Sequence, residues 1–125
     1  MVALLRRAVD DSAAEVRDEA VSALGGARDG QGRTVLLDLL TSAKHADVRG
    51  EVVQQLTGGG DDVVAVLLRV AFDDPADDVQ SEAVDAIKET SGAVATQALR
   101  DIAQRHPQRR LRSEARDALD ERGIR

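Results

Sequence analysis

The chain has 125 residues, no cysteine, a single phenylalanine as its whole aromatic complement, and a formal net charge of −6. These values exclude a disulfide framework and thiolate chemistry, and the acidic balance argues against general nucleic-acid binding, which draws its affinity from Lys and Arg neutralising phosphates. The longest wholly apolar run, residues 63–68, falls far short of the ~20 residues a bilayer demands, and Met1 to Arg7 is too short and too early in charge to be a signal peptide, so a cytoplasmic location is expected.

In chain order, apolar residues spaced by three and four predict a first helix from Val2 to Val9, carrying Leu4, Leu5, Ala8 and Val9 on one face. Asp10-Asp11-Ser12 ends it and offers caps to a second helix, from about Ala13 to Leu24, which Gly25-Gly26 stops. After a turn over residues 27–32, a third helix is expected from Thr34 to Leu40 and a fourth from Asp47 to Thr57, halted at Gly58-Gly59-Gly60. Asp61 or Asp62 should cap a fifth helix that continues to Phe72. Pro75 and Pro107 each suit the first turn of a helix, where a missing N–H costs nothing. They open a sixth helix reaching about Thr90 and an eighth from Gln108 to Glu121, with a seventh from Val94 to Arg105 between them.

The even-numbered helices share a pattern. Val16-Arg17-x-Glu19-Ala20 to Leu24 returns as Val48-Arg49-x-Glu51-Val52 to Leu56, Val79-Gln80-x-Glu82-Ala83 to Ile87, and Leu111-Arg112-x-Glu114-Ala115 to Leu119, at steps of 32, 31 and 32 residues. A fixed period of this size marks a stacked array of supersecondary units, each needing to match only its neighbours. The expected fold is all-α, about eight helices in four pairs, forming one domain over residues 1–125 with repeats at approximately 1–26, 32–58, 61–90 and 93–122.

The pattern Asp-x-x-x-x-Val-Arg-x-Glu-Ala-x-x-x-Leu, intact at Asp11, Val16, Arg17, Glu19, Ala20 and Leu24, resembles the HEAT family, in particular its short, phycobilisome-lyase-type repeats. Repeat two departs from it at Ala43 and repeat four at His106, both standing where the family carries aspartate, and repeat three carries Gln80 in place of arginine. The resemblance covers essentially the whole chain. It implies a right-handed α-α superhelix in which the second helix of each pair lines the concave face. It also implies a non-enzymatic protein-interaction scaffold, or alternatively an accessory subunit of an enzyme such as a bilin lyase-type HEAT-repeat protein.

Candidate chemistry is sparse. His45 is followed by Ala46 and His106 by Pro107, so the His-Glu pairs of the iron-dependent hydroxylases that share this architecture are missing, and both histidines are expected at the surface or in turns. Asp10-Asp11, Asp61-Asp62, Asp73-Asp74 and Asp77-Asp78 lack the spacing and closing glutamate of a calcium loop and suit helix starts instead. Gly58-Gly59-Gly60 follows a helix and has no Gly-Lys-Ser/Thr, so it is a turn and not a phosphate loop. No catalytic residue, metal ligand or cofactor site is assigned. The arginines of repeat four, Arg105, Arg109, Arg110, Arg112, Arg116, Arg122 and Arg125, suit either a solvated end face or an anion site.

Numbering each even helix from its first aliphatic residue as position 0, a rotation of ~100° per residue buries positions 0, +4, +7 and +8. The opposite side, at −1, +2, +3 and +6, holds Glu15, Asp18, Glu19 and Ser22, then Asp47, Gly50, Glu51 and Gln54, then Asp78, Ser81, Glu82 and Asp85, then Arg110, Ser113, Glu114 and Asp117. Ten acids stand there against one base, which predicts an acidic face suited to a basic segment of a partner protein and unsuited to nucleic acid or a membrane. Position +1, occupied by Arg17, Arg49 and Arg112, lies at the edge of the buried stripe, from which these side chains are expected to reach acids of neighbouring repeats.

Overall fold

The computed structural model describes residues 2–26 and 30–124, and among them it is all-helical. The helices are α1 (Val2–Ala8), α2 (Ala14–Gly25), α3 (Gln31–Ser42), α4 (Ala46–Leu56), α5 (Asp61–Asp73), α6 (Asp77–Lys88), α7 (Ala93–Arg105) and α8 (Arg109–Glu121). Most ends fall within two residues of the sequence-derived ones; α3 begins three residues earlier and carries one more turn than Thr34 to Leu40 would give. Residues 27–29 of the expected turn at 27–32 lie outside the described residues, as does Arg125.

Backbone contacts group the chain into two compact units, residues 1–56 and 57–125. In the first, α1 packs on α2 and α3 on α4, with α2 beside α4 and α1 beside α3. Its interior is aliphatic: Val21, Leu24, Leu36, Leu40, Val48 and Val52 are all essentially inaccessible. In the second, α5 packs on α6 and α7 on α8, with α5 beside α7 and α6 beside α8, around Leu67, Val84, Ile87, Leu99, Ile102 and Leu111. Each such side chain contributes about 1.5–3 kcal/mol relative to exposure, so an array of short helices needs no aromatic core.

The buried stripe is wider than the helical-wheel estimate. Position +5 is closed off in three even helices, at Val21, Val53 and Val84, because a helix packed on two sides buries an arc broader than one stripe. Conversely, position +7 is exposed in the first unit, at Ala23 and Gln55, whereas Ala86 and Ala118 are buried. Gly50, placed on the open side by the wheel, is buried.

The aspartates do not cap helices in the expected way. The residue capping the start of α2 is Ala13 and that of α6 is Ala76, neither with a side-chain bond. Asp11 Oδ1 instead accepts the N–H of Ala13, and Asp74 Oδ1 that of Ala76, both at 2.9 Å, two residues upstream of the cap. Asp61 and Asp62 lie inside the first turn of α5, where their negative charge complements the positive end of the helix dipole, while Gly60 occupies the cap. Pro75 and Pro107 precede the caps Ala76 and Gln108 and so lie outside their helices. Their role is to terminate: a proline pushes the residue before it out of the helical region, and Asp74 and His106 are extended, with ψ of 133° and 135°.

His106 is in a turn, yet it is 1% exposed and not at the surface. It stands in for the motif aspartate: Nδ1 accepts the Gln108 N–H at 3.0 Å, Nε2–H donates to Ala71 O at 2.6 Å, and the ring lies 5.1 Å from that of Phe72. The imidazole therefore ties the α7–α8 turn to the end of α5. Replacing it with alanine should cost about 2–4 kcal/mol through lost bonds and a cavity, and His106→Asn should recover part of that by keeping an acceptor for Gln108. Equal urea midpoints for wild type and His106→Ala would contradict this role. Gly60 and Gly92, which start α5 and α7 at φ 111°, ψ 178° and φ 105°, ψ 169°, occupy a region essentially closed to other residues. Gly92→Ala should lower stability by about 1–3 kcal/mol, measured by the same denaturation.

Candidate functional site

The four hairpins are closed by one recurring bond. Arg17 NH1 donates to Asp11 O at 2.8 Å, Arg49 NH1 to Ala43 O at 2.8 Å, Gln80 Nε2 to Asp74 O at 2.7 Å, and Arg112 NH1 to His106 O at 2.6 Å. Each joins position +1 to the carbonyl six residues upstream. The helix that ends in the turn leaves its last carbonyls without intrahelical partners, and the long side chain at +1 satisfies one of them. Gln80 performs this bond without a charge, which explains why repeat three tolerates the departure from arginine. The motif aspartate and arginine thus meet through the aspartate's backbone; its carboxylate is occupied with the N–H two residues on.

Arg17 has a second engagement. Its Nε and NH2 both reach Asp47 Oδ2 at 3.1 Å, joining α2 to α4, with the Arg17 side chain only 12% exposed. Arg49 is buried and also donates to Lys44 O at 3.3 Å, while Arg112 donates to Pro107 O at 3.1 Å.

The residues of the expected face lie as follows. On α2, Glu15, Asp18 and Glu19 are exposed; on the adjacent α4, Asp47 and Gln54 are exposed and Glu51 is half-buried. The arginines on these two helices are Arg17 and Arg49, and both are held by the bonds above. Of the five carboxylates on these two helices, Asp47 is paired with Arg17, and the other four have no arginine of α2 or α4 left to pair with. In the second unit, Asp78 and Asp85 on α6 are exposed and Glu82 is half-buried, while on the neighbouring α8 Asp117 is exposed and Glu114 half-buried. This surface is less one-sided, since Lys88 Nζ lies 3.7 Å from Asp85 and Arg110 NH1 lies 3.2 Å from Glu114 Oε1 and 3.3 Å from Ser81 Oγ. Glu114 Oε2 is buried and accepts no hydrogen bond in this conformation.

Two groups escaped sequence reasoning. Arg122, counted among the surface arginines of repeat four, donates to the carbonyls of Lys88 at 3.1 Å and Thr90 at 2.5 Å and to Thr96 Oγ1 at 3.1 Å, closing the end of α6 against α7. Its place one residue beyond α8 is the only signal, and the repeat gives it no counterpart. The burial of His106 was hidden for a different reason, since its partner Ala71 is 35 residues away. An open hollow of about 500 Å³ between α6 and α8 is lined by Asp85, Lys88, Glu89, Ala118, Glu121 and Arg122 and mixes both signs of charge. Among the described residues no group of three or more His, Cys, Asp or Glu could hold a metal ion, and no helix is long and apolar enough to cross a membrane.

The family model described as HEAT repeats matches residues 33–120. No curated protein matches the sequence.

If the turn bond governs stability, Arg49→Ala should cost about 2 kcal/mol, the worth of a charge-assisted bond to a buried carbonyl. Arg109→Ala, at an exposed position, should stay within about 0.5 kcal/mol. Thermal unfolding followed by circular dichroism compares the two, and coincident midpoints would remove the clamp as a stabilising element.

Proposed function

The chain belongs to the HEAT repeat family, whose repeats generally serve as protein–protein interaction scaffolds, and we propose that it acts as a non-enzymatic scaffold whose acidic even-helix surface holds a basic segment of a partner protein. The observation that carries this reading is the α2–α4 surface. Glu15, Asp18, Glu19, Asp47 and Glu51 line it; Arg17 is taken up by Asp47 and a turn carbonyl and Arg49 by turn carbonyls, which leaves four of the five carboxylates without an arginine of α2 or α4. A surface of one sign attracts the opposite sign and repels phosphate backbones, and such steering weakens with salt. Asp78, Glu82, Asp85, Glu114 and Asp117 carry the same chemistry in the second unit.

The test is capture. A partner retained from cell extract by the wild type should be lost from the triple variant Asp18→Lys, Glu51→Lys, Asp85→Lys with helical circular dichroism preserved, and retention should fall as salt rises. Capture that survives the reversal, or ignores salt, places binding elsewhere. A saturable absorbance change on adding a bilin would favour the accessory-subunit reading instead.

A further inference from the structure

At position −1 the four even helices carry Glu15, Asp47, Asp78 and Arg110. The first three are acids in the first turn of a helix, where the dipole favours negative charge, whereas the first turn of α8 holds no acid. The same dipole disfavours a cation there, so Arg110 does not stabilise its own helix.

Its contacts are equally poor as a structural tie. One nitrogen, NH1, lies 3.2 Å from Glu114 Oε1 on α8 and 3.3 Å from Ser81 Oγ on α6. Nε and NH2 meet no acceptor among the described residues, and the side chain is 57% exposed. Arginine four residues before glutamate is the less favourable order for such a pair, and exposed pairs contribute little. Arg17, Arg49 and Arg112 differ in kind: each is fixed by a turn carbonyl at 2.6 to 2.8 Å, so none leaves its place without opening a hairpin. Arg110 swings away freely.

What the contact does achieve is to set a guanidinium on the carboxylate side of α6 and α8, the surface proposed above to receive a basic segment. We infer that Arg110 is a built-in competitor for that segment: it stands in the second unit where a basic side chain of the partner would otherwise rest, and the partner reaches Glu114 and Ser81 only by displacing it. A group tethered to the same chain is present at a local concentration that a weakly held partner does not match. The first unit has no such mobile occupant. Arg17 and Arg49 are held in their turns, and no arginine of α2 or α4 covers Asp18, Glu19 or Glu51, the last of which accepts the Gln55 amide at 3.5 Å. A basic segment therefore fills the first unit before the second. The inference rests on the scaffold reading and adds to it how the same surface is regulated.

The probe is a flexible peptide of alternating glycine and arginine, titrated into the isotope-labelled chain at low salt while the amide resonances of each unit are followed separately. In the wild type the signals of Asp18 and Glu51 should reach half-saturation at a lower peptide concentration than those of Ser81 and Glu114. In Arg110→Ala the midpoint of the second pair should fall by about fivefold, the weight of one competing exposed ion pair, with that of the first pair unchanged. Arg109→Ala removes the same charge from the same turn without touching Glu114 or Ser81, and should move neither midpoint beyond the effect of one screened charge, about twofold. Both variants should melt at the wild-type temperature. Equal midpoints for the two pairs in the wild type overturn the inference, as does an equal response to Arg109→Ala and Arg110→Ala. A melting temperature lowered only in Arg110→Ala also overturns it, by making the arginine a structural strap. These outcomes leave the scaffold reading standing; a peptide that shifts neither pair of signals removes both.

Discussion

The bond from position +1 to the carbonyl six residues back is the constraint on which the other features depend. A short turn between two helices exposes the last carbonyls of the first helix and the first N–H groups of the second, and neither set can be left unpaired at a packed junction. Here one side chain from each direction resolves both. The residue at the end of the first helix, Asp11, Asp74 or His106, accepts an N–H two residues on, and the long donor at +1 takes its carbonyl. Repeat two lacks the first half, because Ala43 has no acceptor; the buried Arg49 supplies the second half by reaching the carbonyls of Ala43 and Lys44.

Anchoring the +1 guanidinium by one nitrogen has a second effect. It removes most of the rotamer freedom of a long side chain, so its remaining nitrogens are aimed before any carboxylate arrives. Arg17 uses them on Asp47. A pair formed by an already ordered, largely buried arginine loses less entropy than one between two free surface chains, and a bond made for the turn thereby also sets the register between neighbouring helices.

The charge of the molecule follows the same division of labour. Arginines near turns are consumed by carbonyls, as Arg49, Arg112 and Arg122 are, whereas the carboxylates along the open sides of α2 and α4 other than Asp47 are without an arginine partner. A nearly balanced sequence count in the first repeats therefore produces a surface that is strongly of one sign. In the last repeat, arginines are numerous enough that some remain on an edge after the carbonyls are satisfied.

By itself the sequence determined the all-α class, the eight helices and the four-fold register, because a heptad-like apolar spacing and a period near 32 are local properties that need no knowledge of neighbours. It also determined that Glu15, Asp18, Asp78, Asp85 and Asp117 face outward, since charged groups without buried partners remain in water. Only the tertiary structure decided that position +5 is core in α2, α4 and α6, that Val16 is open while Val48 is closed, that His106 is buried against Phe72 and Ala71, and that Arg122 caps a helix 34 residues upstream. Each depends on which second helix lies alongside and in what register, and that is set by contacts between residues about one repeat apart, which a helical wheel drawn on a single helix does not contain.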